Sequence, residues 1–152
     1  MSNNIDEMIL DIPSDFKFLG AVDAAVQDLS REFALSADTI NDVSTALIEA
    51  CSNAIEHGNK FAKNKRVSVS LRFNGGSLTA RVRDEGGGFD FESLLNNPGP
   101  PDPMSERGRG LMIMQAFTDE LNFSYDPASG LCVELKKVTG NGADVTGDEA
   151  AG

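Results

Sequence analysis

Hydrophobic and polar positions along this chain follow two rhythms. Met8, Leu10 and Ile12 alternate with Ile9 and Asp11, the period of a strand with one buried face. Pro13 stops that strand, and Ser14 is placed to cap a helix from about Asp15 to Phe33. Its buried stripe is Phe18, Val22, Val26, Leu29 and Phe33. Ser36 is placed to cap a second helix running to about His57, with Gly58 as its stop. Ile40, Val43, Leu47, Ala50 and Ala54 form its packing stripe. The period of two returns at Arg66 to Phe73, with Val67, Val69, Leu71 and Phe73 on one face. Asn74-Gly75-Gly76 turns the chain, and Ser77 to Asp84 comes back with Leu78, Ala80 and Val82 on one face.

The second half is more broken. Glu92 to Glu106 contains Asn-Asn-Pro-Gly-Pro-Pro-Asp-Pro and cannot hold regular structure throughout. A loop of that length in a compact domain is usually functional, so a lid is expected at about 92–107. Gly110 to about Phe117 reads as a third helix. Leu121 to Tyr125 and Leu131 to Val138 read as a closing hairpin around Pro127 to Gly130. Residues 1–7 read as a flexible N-terminus, 8–138 as one domain, and 139–152 as a disordered acidic tail. The expected fold is an α/β sandwich, one sheet carrying helices on a single face.

Composition narrows the partners. The 152 residues suit one domain, and the net charge of −11 argues against nucleic acid, which needs clustered Lys and Arg. No stretch is long and apolar enough to suggest a membrane span. The polar, acidic start is unlike a signal peptide. Cys51 and Cys132 lack motif spacing and are expected to be reduced, in a cytoplasmic protein.

Three stretches carry candidate chemistry. On the second helix, Glu49 and Asn53 are four residues apart, so both side chains reach one point. The polar stripe they share is either a solvated face or a site. As a site, the Asn53 oxygen suits Mg²⁺ bound together with phosphates, and the Glu49 carboxylate suits a general base. His57 is either part of the same site or a helix-end cap near the C-terminal dipole.

At the end of the third strand, Asp84 falls on the inward face, where an ionised carboxylate needs a donor. It either starts a turn before the glycines or waits for a ligand donor such as the adenine amino group. Gly86, Gly87 and Gly88 would let the backbone approach a flat base. Third, Gly108 and Gly110 stand before Leu111-Met-Ile-Met114, where N–H groups at a helix start attract phosphate oxygens. Arg107 and Arg109 either add contacts to phosphates or belong to a solvated loop. No Gly-Lys-Ser/Thr follows, which excludes a P-loop, and the glycines after Asp84 lead into a loop rather than a helix, which excludes a Rossmann fingerprint.

With these residues in hand, the chain resembles the ATPase superfamily of gyrase, the ninety-kilodalton heat-shock chaperone, histidine kinases and mismatch-repair ATPases. Within it, the chain looks most like the stand-alone bacterial anti-sigma-factor serine kinases. Glu49-x-x-x-Asn53-Ala-x-x-His57-Gly58, Asp84-x-Gly86-x-Gly88-Phe89 and Gly108-Arg-Gly110-Leu are similar to that superfamily's three boxes, in order. The resemblance implies a Bergerat-type fold: an α+β two-layer sandwich with a mixed, mostly antiparallel sheet and helices on one face. It implies ATP and Mg²⁺ as cofactors, with Glu49 as general base, Asn53 as metal ligand and Asp84 as adenine reader. Gly86, Gly88, Gly108 and Gly110 would contact the nucleotide, with His57, Arg107 and Arg109 beside them. The partners implied are a sigma factor and a small antagonist whose serine is phosphorylated, and the implied assembly is a homodimer. A second functional class fits the same pocket: a module that binds ATP as a switch and sequesters a partner without phosphotransfer.

Overall fold

The computed structural model describes residues 6–87 and 106–139, with residues 106–108 as backbone only. Gly88, most of the expected lid and the tail beyond 139 lie outside those residues. Five strands form one sheet: β1 Asp6–Pro13, β2 Arg66–Phe73, β3 Ser77–Arg83, β4 Glu120–Asp126 and β5 Gly130–Val138. Their order is β1-β2-β3-β5-β4. All four pairings are antiparallel, so the mixed component of the expected sheet is not found among the described residues.

The helices are α1 Leu19–Glu32, α2 Ala37–Asn53 and α3 Glu106–Ala116. They cover one face because strand alternation sends Val67, Val69, Leu71, Leu78, Ala80, Val82, Val133 and Leu135 to that side, all nearly inaccessible. Val22 and Val26 of α1, Leu47, Ala50 and Cys51 of α2 and Met114 of α3 complete the core. Each fully buried Val or Leu contributes about 1.5–3 kcal/mol of transfer free energy. The Phe33 and Phe73 rings stack at 4.0 Å between centroids, joining the end of α1 to the end of β2. The other face of the sheet carries the half-exposed ion pairs Arg72–Glu7, Arg81–Glu134 and Lys136–Glu120.

Three expectations about helix ends are corrected. The first helical segment is split into a 3₁₀ turn, Phe16–Phe18, and α1. Asp15, not Ser14, caps that turn, its carboxylate accepting from Lys17 N. Ser14 is occupied elsewhere, donating its hydroxyl to Lys65 O at 2.6 Å. Ser36 does cap α2, accepting from Thr39 N.

Gly58 does not stop α2 in a left-handed conformation. Instead α2 widens into a π turn, Ala54–Gly58, closed by Asn59 N donating to Ala54 O at 2.8 Å. The left-handed residues are Lys60 and Phe61, with φ of 52° and 58°. Finally, α3 begins at Glu106, so Gly108 and Gly110 lie inside it rather than ahead of it.

Candidate nucleotide site

Glu49 and Asn53 sit in the last turns of α2, four residues apart and half-buried. Their neighbour across the helix pair is Gly110. A β-carbon built on Gly110 would stand 2.7 Å from Glu49 Oε2 and 2.9 Å from Asn53 Nδ2. The bare α-carbon therefore makes the space that the carboxylate and the amide occupy. The first and third sequence stretches are thus one local structure, with α3 packed across the end of α2.

The second stretch meets the first at Gly58. Asp84 is 3% exposed and follows β3 directly. Its N–H donates to Leu131 O at 3.0 Å, which carries the β3–β5 ladder one residue further. Its Oδ1 accepts from Gly86 N at 2.8 Å and Leu131 N at 3.3 Å. Two main-chain donors thus offset part of the cost of burying the charge. The other carboxylate oxygen faces Gly58, where a β-carbon would come within 2.1 Å of it.

Gly86 packs its main chain on Gly58, since a β-carbon there would lie 2.0 Å from Gly58 O. Gly130 closes the arrangement from β5: its φ is +92° and a β-carbon would fall 1.8 Å from Asp84 O. Gly58, Gly86 and Gly130 are therefore needed for close approach of backbones around one buried acid.

A residue that sequence reasoning missed fastens this arrangement. Asn59 is 1% exposed. Its Nδ2 donates to Ser14 Oγ at 2.9 Å and Arg66 O at 3.0 Å, and its Oδ1 accepts from Glu85 N at 2.7 Å. One buried amide thus joins the end of β1, the start of β2 and the strand end that carries Asp84. Arg66 N donates to Glu85 Oε2 at 2.6 Å and reinforces the same junction. An Asn after Gly reads in sequence as an ordinary loop residue, so no local signal marks it.

The remaining candidates lie around this core of the site. His57 lies in the π turn, its side chain 23% exposed and Nε2 3.9 Å from Glu56 Oε1. Arg109 is exposed on α3. Arg107 and Gly108 fall in the first turn of α3, where main-chain N–H groups lack helical partners. Cys51, two residues beyond Glu49, points into the core, and burial pushes its thiol up to about 12. Cys132 is likewise buried and free, and burial raises its pKa. Neither thiol has the lowered pKa of a nucleophile.

The residues present suit a magnesium–nucleotide complex. An amide and a carboxylate converge at a glycine whose missing side chain leaves room beside them. The described residues hold no group of three His, Cys, Asp or Glu side chains arranged for a metal. A Mg²⁺ ion here would be held by one amide oxygen, phosphates and water, the usual set for that ion with nucleotides.

Residues 12–137 match the model of the histidine kinase-like ATPase domain. The chain belongs to that family. Among curated relatives, the serine-protein kinase RsbW of Bacillus subtilis (strain 168) is 31% identical over 143 residues, covering 90% of this chain and 88% of that protein. RsbW of Bacillus velezensis is 29% identical with the same coverage. Two solved structures share the fold. The RsbU and RsbW domains of Rv1364c from Mycobacterium tuberculosis superpose with a TM-score of 0.64 at 19% identity, over 88% of this chain and 32% of that longer one. The SiaB–SiaC complex from Pseudomonas aeruginosa superposes with a TM-score of 0.66 at 15% identity, over 85% of this chain and 88% of that chain. The α+β sandwich with helices on one face is therefore the family's architecture.

Proposed function

We propose that this histidine kinase-like ATPase is a Mg·ATP-dependent protein-serine kinase and anti-sigma factor. In this reading it binds a sigma factor and phosphorylates a small anti-anti-sigma protein on serine. The observation that carries it is the convergence of Glu49 and Asn53 under Gly110, with Asp84 buried across the π turn. The similarity to RsbW serine-protein kinases over nine-tenths of the chain supports the same reading.

The roles follow from chemistry. Asp84, held by Gly86 N and Leu131 N, accepts from the adenine amino group, with Gly86 beside the base. Gly88 would line the same base. Asn53 offers its oxygen to Mg²⁺, which when bound draws charge from the phosphate oxygens. Glu49 takes the proton of the attacking serine hydroxyl as its oxygen forms a bond to the γ-phosphorus, and ADP leaves. The N–H groups at the start of α3, about Gly108, receive phosphate oxygens, with Arg107, Arg109 and His57 supplying further donors. Catalysis is then chiefly positioning and electrostatics. The same reading has a homodimer working in the cytoplasm. The net charge of −11 and the absence, among the described residues, of a helix fit to cross a membrane accord with partners that are proteins.

The test is transfer of labelled phosphate from ATP to a candidate antagonist, by wild type and Glu49→Ala. Transfer by wild type, with ATP binding retained and transfer lost in Glu49→Ala, is expected. ATP binding by wild type without transfer to any protein would overturn the kinase in favour of a nucleotide-switched binding module.

A further inference from the structure

Beyond the nucleotide site, two phenylalanines are left in the open side by side. Phe16 and Phe61 are 44% and 48% exposed, and their rings meet edge to face at 5.1 Å and 72°. One comes from the 3₁₀ turn before α1, the other from the loop after α2. Lys17, Lys60 and Lys63 flank them, all exposed. The surroundings are unusual for this protein. The loop from Gly58 to Lys63 holds Lys60 and Lys63 and no carboxylate, in a protein of net charge −11.

The loop is also held, not merely left outside. Lys60 and Phe61 both occupy the left-handed region that residues with a β-carbon avoid. Phe61 N donates to Ile55 O at 2.9 Å, fixing the ring against Phe16. A strained backbone that presents an aromatic ring to water works against folding alone and points to use.

We propose that the Phe16–Phe61 pair with Lys17, Lys60 and Lys63 is a docking surface for an acidic, apolar-anchored segment of a partner protein. Half-exposed aromatic side chains ringed by polar groups are the chemistry of interface anchors. The lysines supply the complement for carboxylates, and Asp15, 3.9 Å from Lys17, gives a negative edge that favours one register. A local segment suits this site better than an extended polyanion. A membrane or a duplex would also meet the acidic remainder of the molecule and be repelled. Three lysines also fall short of the four to eight that mark an anionic-lipid site.

The surface adjoins the segment that carries Asp84. Asn59, adjacent to Lys60, accepts from Glu85 N beside Asp84. The inference rests on the protein-partner part of the proposed function and is independent of phosphotransfer.

The experiment titrates the ¹⁵N-labelled full chain with a synthetic peptide of Glu and Asp around a Leu-Phe pair. Amide shifts should concentrate at Phe16, Lys17 and Asn59 to Lys63, with binding tighter at low salt. Phe61→Asn removes the ring with a residue that tolerates the left-handed backbone, and should weaken binding about tenfold. Lys60→Glu with Lys63→Glu should weaken it by a similar factor. No peptide binding, shifts elsewhere, or stronger engagement of these residues by phosphatidylglycerol vesicles or an oligodeoxynucleotide would each overturn the proposal. ATP titrated into the same samples separates the two readings. Retained ATP binding without peptide binding refutes the docking surface alone, and lost ATP binding refutes the nucleotide site alone.

Discussion

Gly110→Ala should separate folding from function. Gly110 is the fifth residue of α3, and alanine in a helix interior is favoured over glycine by about 0.8–1.0 kcal/mol. The new methyl would stand 2.7 Å from Glu49 Oε2 and 2.9 Å from Asn53 Nδ2. Restoring an ordinary contact of 3.4 Å requires retreats of about 0.7 Å and 0.5 Å, being 3.4 minus 2.7 and 3.4 minus 2.9. The atoms that must move are the ends of side chains, not backbone. The overpacking cost therefore belongs at the low end of the usual range of about 1–3 kcal/mol, and the helix gain offsets much of it.

Stability should stay within about 1–2 kcal/mol of wild type, a shift of at most about 1 M in the urea midpoint. In the proposed reaction phosphotransfer should suffer far more, because a misplacement approaching 1 Å at Glu49 and Asn53 costs roughly a hundredfold. Urea unfolding followed by circular dichroism and single-turnover phosphate transfer measure the two effects on one preparation. A variant that transfers phosphate at the wild-type rate would refute the idea that the bare α-carbon keeps Glu49 and Asn53 in place. Loss of the folded state would refute the assignment of the strain to mobile side-chain ends.

Gly86 and Gly130 should behave differently, since the atoms they meet are backbone. Gly130→Ala combines a φ of +92° with a β-carbon 1.8 Å from Asp84 O, and is expected to unfold the protein or cost more than about 3 kcal/mol; a urea midpoint near wild type would contradict this. Asn59→Ala removes the partner of Glu85 N, Ser14 Oγ and Arg66 O, and should cost about 2–4 kcal/mol, with hydrogen exchange at Glu85 and Gly86 faster than in wild type. Unchanged exchange there would remove Asn59 from its positioning role. Burial raises the Cys51 thiol from an ordinary 9.0 to about 12, so the folded state holds that proton longer than the unfolded chain does. Its contribution is complete below pH 9 and is lost as pH rises towards about 12. Urea midpoints from about pH 8 to about pH 11 should fall less steeply in Cys51→Ala than in wild type.

Much of this protein was legible in one dimension because side-chain period is a local property. Alternation at Val67 to Phe73 and at Leu78 to Val82 predicted β2, β3 and their turn, and placed Asp84 on the buried face. Spacing of four put Glu49 and Asn53 on one side of a helix. The order of the three glycine-bearing stretches was enough for the family resemblance, which the domain match bears out.

Other features were decided only by the tertiary structure, because they are contacts between segments far apart in sequence. The π turn replaces the expected glycine stop since Gly58 is needed against Asp84, 26 residues on, and not as a left-handed cap. Gly110 lies inside α3 with its α-carbon against Glu49 and Asn53, rather than ahead of the helix. Ser14 left its expected capping position to bind Lys65 O and Asn59, 51 and 45 residues away. Among the described residues every neighbouring pair of strands runs antiparallel, so the mixed component of the expected sheet is not found there. A sequence states which faces must be buried. Which backbone then lies against which, and so which glycine cannot change, depends on how the α-helices settle on the sheet.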